Sequence, residues 1–226
     1  MPAKVISDGQ LAALVREAAE YHREHWLEFD DTLYAVCKNA RHDSMSSICA
    51  RLWLVNGAMT AQLQRAVKPG IHPPAGSLAT VAELLQRNAT TVVTLVDRLR
   101  AINAAPEPWW NAPDDVVAVV TEFCGLLRQQ MREASGTHRR NQRSFASKFL
   151  HFHVAQVPIY DAYANSALNQ LANCPRLRAE ATLDVEYRRF AHRFAALCQH
   201  VAKLVREASI RDIDSLLLLW HHRHIK

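Results

Sequence analysis

Six glycines in 226 residues, and no sustained apolar–polar alternation, constrain this chain more than any other feature. A sheet protein of this size needs tight turns and strands whose side chains alternate between faces. Here apolar residues instead recur at spacings of three and four, the signature of amphipathic helices. The pattern predicts an all-α protein.

The helices can be placed from their caps and faces. Asp8 reads as the N-cap of a helix from Gly9 to Leu27, with Leu11, Leu14, Val15, Ala18 and Ala19 on one side. A second helix is expected over Asp31–Asn39. Ser44 reads as the cap of a third, with Ile48, Leu52, Val55 and Met59 in register. Lys68-Pro-Gly-Ile-His-Pro-Pro-Ala-Gly76 is a breaker. A helix follows from Ser77 to Ala101, carrying Val81, Leu84, Leu85, Val92, Leu95, Val96 and Leu99. The loop Ala105-Pro-Glu-Pro-Trp-Trp-Asn-Ala-Pro113 comes next, then a helix from Asp114 to Glu133 whose acidic start suits the helix dipole. Beyond the stop at Ser135-Gly-Thr the pattern predicts helices over Ser144–His153, Ala162–Asn173 and, capped by Thr182 or Asp184, up to Ala208. A last helix holds Ile213, Leu216, Leu217 and Trp220. One globular helical domain fits this order, with room for two lobes, 1–105 and 112–226, meeting at the Pro-rich loop.

The charge balance narrows the partners. Lysine and arginine exceed aspartate and glutamate by five, and twelve histidines add to this at low pH. A basic surface favours a polyanion such as DNA. Five widely spaced cysteines with no C-x-x-C argue against a zinc ribbon or an iron–sulfur cluster, and free thiols suit a reducing cytoplasm. The first residues lack a charged-then-apolar leader pattern, and no apolar run reaches the roughly 18 residues of a membrane span. The expectations are a cytoplasmic protein, no membrane, no cofactor and no metal.

Chemistry concentrates between Gln142 and Asp161. Lys148, His151, His153, Tyr160 and Asp161 fall within fourteen residues of one another, after the basic cluster His138, Arg139, Arg140 and Arg143. Ser144 and Lys148 share a helix face, and Pro158 biases Val157 toward extended backbone. Asp161 then stands at the start of the next helix, where its carboxylate either caps that helix or serves a reaction. His151 and His153, two positions apart on a helix, point different ways and do not share a metal. Tyr160 and Tyr163 either pack or stack on a base.

The run Arg143-Ser144-x-Ala146-x-x-x-Leu150, followed by Pro158-Ile159-Tyr160-Asp161, resembles the central segment of the helix-hairpin-helix DNA glycosylase superfamily over about 30 of the 226 residues. The resemblance implies a two-lobed helical bundle with a cleft between the lobes. It further implies excision of a damaged or modified base from double-stranded DNA, with the target base extruded. Asp161 would be the catalytic carboxylate. The family's lysine falls near Ser144, and Lys148 stands one turn further on. The family's glycine hairpin falls at His138-Arg-Arg-Asn-Gln142, which has neither glycine nor proline, so Arg139, Arg140 and Arg143 would grip phosphate through their side chains. Tyr160, Tyr163, His151 or His153 would contact the extruded base.

Two other readings compete. One is a non-catalytic helical protein that binds nucleic acid or another partner. The other is a helical ribonuclease toxin, from the pairs Arg132-x5-His138 and Arg193-x6-His200. The pair His42-Asp43 suits a metal phosphohydrolase only with further ligands that no spacing identifies. Trp109-Trp110 either packs within the protein or wedges into DNA. The arginines 176, 178, 188, 189 and 193 form either a solvated surface or a phosphate track.

Overall fold

The computed structural model describes residues 6–38, 44–58, 76–135, 142–173, 177–178 and 180–225. Among them are ten α-helices and no strand. They are α1 (Asp8–His25), α2 (Leu27–Lys38), α3 (Met45–Ala58), α4 (Gly76–Arg87), α5 (Ala89–Asn103), α6 (Pro113–Ser135), α7 (Arg143–His153), α8 (Ala162–Leu171), α9 (Val185–Leu204) and α10 (Ile210–His224). A 3-10 turn covers Trp109–Asn111. The all-α expectation holds. The breaker at 68–75, and with it Met59, lies outside the described residues.

Local chemistry explains most of the boundaries. Ser44 accepts from the Ser47 amide at 3.4 Å, and Asp184 from the Tyr187 amide at 2.8 Å, so both act as N-caps. At the first helix the cap is Ser7, one residue before the expected Asp8. Ser7 Oγ accepts from the Gln10 amide while the Gln10 side chain accepts from the Ser7 amide, a reciprocal capping box. Ser209 and Asp212 form a second such box at the start of α10. The helix expected over Ser77–Ala101 is two helices. Between them, Asn88 donates its side-chain amide to the Leu84 carbonyl at 2.9 Å, competing for the oxygen that its own backbone N–H also approaches at 3.1 Å.

The chain forms two compact units, and their make-up differs from a division at the Pro-rich loop. The first consists of 1–30, 102–118 and 158–226, the second of 31–101 and 119–157. The boundaries therefore fall inside α2, α5 and α6, and between Val157 and Pro158.

In the first unit α1 packs along α10, α10 along α8, and α8 along α9. Leu11, Val15 and Ala18 of α1, Ile213, Leu216, Leu217 and Trp220 of α10, and Phe190, Phe194 and Val201 of α9 are buried. Trp109 is buried as well and stacks on Phe194, with ring centroids 6.3 Å apart. Trp109 and Trp110 thus belong to this unit, Trp109 as a packing residue.

A charged cluster is buried beside this core. Asp30, 1% exposed, accepts from His22 Nε2 at 2.8 Å and from Arg211 Nε at 2.5 Å. Arg211 also donates to Asp214, which is 2% exposed. One guanidinium therefore serves two buried carboxylates.

The second unit closes around α7. Phe123 of α6 stacks on Phe149 at 5.4 Å, and every residue from Phe145 to His153 is buried. A helix buried on all sides is ordinarily apolar all round. This one carries Ser147, Lys148, His151 and His153, so its polar groups require partners inside the unit.

Candidate functional site

The Pro-Ile-Tyr-Asp turn lies in the first unit and is held at several points. The Pro158 carbonyl accepts from the buried hydroxyl of Tyr187 of α9 at 3.0 Å. Ile159 is buried. Tyr160 donates its hydroxyl to Glu186 of α9 at 2.5 Å and meets the ring of Phe190 edge-on at 5.1 Å. The turn ends on Asp161 in extended backbone, with φ −144° and ψ 173°.

Asp161 is the N-cap of α8. Its Oδ1 accepts from the Ala164 amide at 2.7 Å, and its carbonyl accepts from the Asn165 amide at 2.9 Å. The side chain is half-buried, at the positive end of the helix dipole, where negative charge is favoured. Two residues on, Tyr163 is 55% exposed. Its ring lies 4.5 Å from that of His221 and 6.4 Å from that of His222, both on α10. His221 Nδ1 is buried without a hydrogen-bond partner. An exposed aromatic ring and two imidazoles thus meet on α8 and α10, two residues along the chain from the capping carboxylate. The histidines of α10 carry no signal in the sequence alone, because a histidine-rich end ordinarily reads as a solvated tail.

The remaining candidates are placed differently. Lys148 is 4% exposed and lies in the second unit. His151 is fully buried there: its Nδ1 donates to the Val157 carbonyl at 2.8 Å, and its Nε2 accepts from the Tyr34 hydroxyl at 2.5 Å. His153 donates from Nδ1 to the Phe149 carbonyl at 2.7 Å and accepts at Nε2 from Arg51 at 3.2 Å. A carbonyl can only accept, so both imidazoles carry their proton on Nδ1. Both ring nitrogens of each are engaged inside the protein, so the two histidines expected to touch a base serve packing. Arg51 is itself buried, and desolvation lowers its pKa. Arg143 is the half-buried first residue of α7. Arg139, Arg140 and His138 lie outside the described residues, as do His42, Asp43 and Arg176.

The ribonuclease pair Arg193 and His200 falls on α9, where His200 donates to Asp8 at 3.0 Å. Arg188 is held by Asp114, through Nε at 2.8 Å and its terminal nitrogen at 2.6 Å, and His192 donates to the same carboxylate at 2.8 Å. The Arg188 guanidinium, with help from His192, holds the Asp114 carboxyl down at about 2. Among the described residues no group of three or more His, Cys, Asp or Glu side chains is placed to hold a metal ion. Nor is any described helix long and apolar enough to cross a membrane.

No family model, no curated protein and no solved structure matches this chain. What defines the class is the fold itself, helical throughout the described residues, with Asp161 as the N-cap carboxylate of α8.

Proposed function

We propose that this protein binds double-stranded DNA and excises a damaged or modified base, with a modified phage base among the candidate targets. Asp161 carries the proposal. Departure of a base from its sugar builds positive charge on the sugar ring, and a carboxylate fixed in place before the reaction stabilises that charge without reorganising. The turn that bears Asp161 is tied to α9 by the buried Tyr187 hydroxyl and, at the surface, by the Tyr160 hydroxyl, so its position is set before any ligand arrives. Tyr163 offers an exposed ring on which a base could stack. The 4% exposure of Lys148 favours water over an amine as the nucleophile.

The cap bond alone favours a second reading, a helical nucleic-acid-binding protein without catalysis, because a capping aspartate needs no other reason to stand there. One substitution separates the two. Asparagine caps helices about as well as aspartate, so Asp161→Asn keeps the fold while removing the charge. Duplexes bearing a panel of damaged and modified bases, phage DNA included, are incubated with each protein, and abasic sites are counted. Catalysis predicts product from the wild type and a loss of about 10²-fold or more in the variant. Absence of product from every duplex leaves only the binding reading. Full activity in Asp161→Asn removes the role assigned to this residue.

A further inference from the structure

Helix α9 carries Arg189, Arg193 and Lys203 on one line. At 100° per residue, Arg189, Arg193, Ala196, His200 and Lys203 fall within about 40° of a common direction, opposite the buried Phe190, Phe194, Cys198 and Val201. From Arg189 to Lys203 the line runs about 21 Å at 1.5 Å per residue. Arg189 and Lys203 are exposed and Arg193 is half-buried. Among the described residues none of the three has an ion-pair or hydrogen-bond partner. Their neighbours off the line are engaged: Arg188 and His192 with Asp114, and Glu186 with Tyr160. Ala196, in the middle, leaves the line flat.

The line also begins at the turn described above. Glu186 and Tyr187, in the first turn of α9, hold Tyr160 and Pro158, so the stripe leads away from Asp161 within one unit. Three unpaired cations along one helix face, with His200 between the last two held by Asp8, complement a row of fixed anions, and a duplex presents a phosphate every 3.4 Å along each strand. Free cations elsewhere lack this order. Arg16 and Arg23 are exposed on α1 and Lys38 at the end of α2.

We infer that the Arg189–Arg193–Lys203 face of α9 is the track on which the phosphodiester backbone of duplex DNA lies, delivering the strand to the Asp161 turn. The inference rests on the DNA-directed reading above and names the surface that reading lacks. It makes no use of base contacts, so binding along it is independent of sequence.

The test is the salt dependence of binding to a mixed-sequence duplex of about 20 base pairs, measured by fluorescence anisotropy. Three proteins are compared: wild type, the stripe variant R189Q/R193Q/K203Q, and a control, R16Q/R23Q/K38Q, with the same loss of charge elsewhere. Three phosphate contacts contribute a slope of about −2.7 in log K against log salt. The affinity gap between wild type and stripe variant should therefore narrow about 40-fold between 50 and 200 mM salt, while the control retains the wild-type slope. Equal losses in control and stripe variant would mean that net charge alone governs binding, and would overturn the track. So would tighter binding to phosphatidylserine vesicles than to the duplex, or no duplex binding by the wild type. The two proposals fail separately. Base excision with an affinity indifferent to the stripe substitutions removes the track alone, whereas stripe-dependent binding with no abasic product removes the excision alone.

Discussion

Replacing Arg211 by alanine should be among the most damaging single changes available in the first unit. Its side chain is 11% exposed and lies between two carboxylates, Asp30 and Asp214, that are themselves almost fully buried. Truncation removes the charged donors to both and leaves two anions in the interior, with His22 still hydrogen-bonded to Asp30. Breaking a buried ion pair by deleting one partner costs about 3–5 kcal/mol, because the abandoned charge keeps its desolvation penalty. The site is too buried for solvent to screen that loss in the way it screens surface pairs. The change is a large fraction of the 5–15 kcal/mol that holds a typical domain together. With a urea m-value of about 2.5 kcal/mol/M, the midpoint should fall by about 1–2 M. A cycle with Asp30→Asn sharpens the test. Asp30→Asn should destabilise the Arg211→Ala protein much less than it destabilises the wild type, since the charge it removes has then already lost its guanidinium partner. A midpoint within about 0.3 M of the wild type for Arg211→Ala, or strictly additive effects, would refute the assignment of this cluster as an integral support of the α1–α10 pair.

Other outcomes can be checked directly. Asp114 has its carboxyl pKa lowered from 3.8 to about 2. A depressed carboxylate pKa contributes stability that is present above the unfolded value and lost as pH falls through the folded one, here between about pH 4 and pH 2. Because the side chain is 42% exposed, screening limits the contribution to about 1 kcal/mol. Carboxyl carbon NMR of Arg188→Gln should find the Asp114 titration moved back toward the ordinary carboxylate range. Burial pushes the Cys37 thiol up to about 12 and raises Cys198 as well. Iodoacetamide followed by peptide mass spectrometry should therefore modify the partly exposed Cys49 in the native protein, and Cys37, Cys124 and Cys198 only after denaturation.

Much of this fold could be read from local chemistry. Helix type follows from a spacing of apolar residues that neighbouring positions alone establish, and Ser44, Asp161 and Asp184 cap where side-chain oxygen and helix start coincide. The Ser7 cap was equally legible, because Gln10 stands three residues later and completes the box. Asn88 was harder. Its side chain turns the backbone inside an unbroken apolar stripe, and the stripe is what the pattern reports. The composition of the units lay out of reach, since the pairing of α1 with α10 joins segments nearly two hundred residues apart. The same reason explains the misplaced histidines. His151 and His153 look reactive in a row of residues, but their partners Tyr34 and Arg51 sit about a hundred positions earlier, and only the folded chain brings them in. Asp161 kept its predicted place because its partner, the Ala164 amide, is three residues away.

The interleaved make-up of the two units sets a schedule for the chain as it leaves the ribosome. Segments 31–101 and 119–157 are complete once residue 157 has emerged, so the second unit can close while the remainder is still being made. The first unit begins with α1 and cannot finish until α10 arrives, and until then the α1 face of Leu11, Val15 and Ala18 lacks its main partner helix. Helix α1, synthesised before the other described helices, is therefore among the last to be sheltered. Nascent chains stalled before residue 210 should present that α1 face to chaperones, and the delay follows from the order of the segments rather than from their composition.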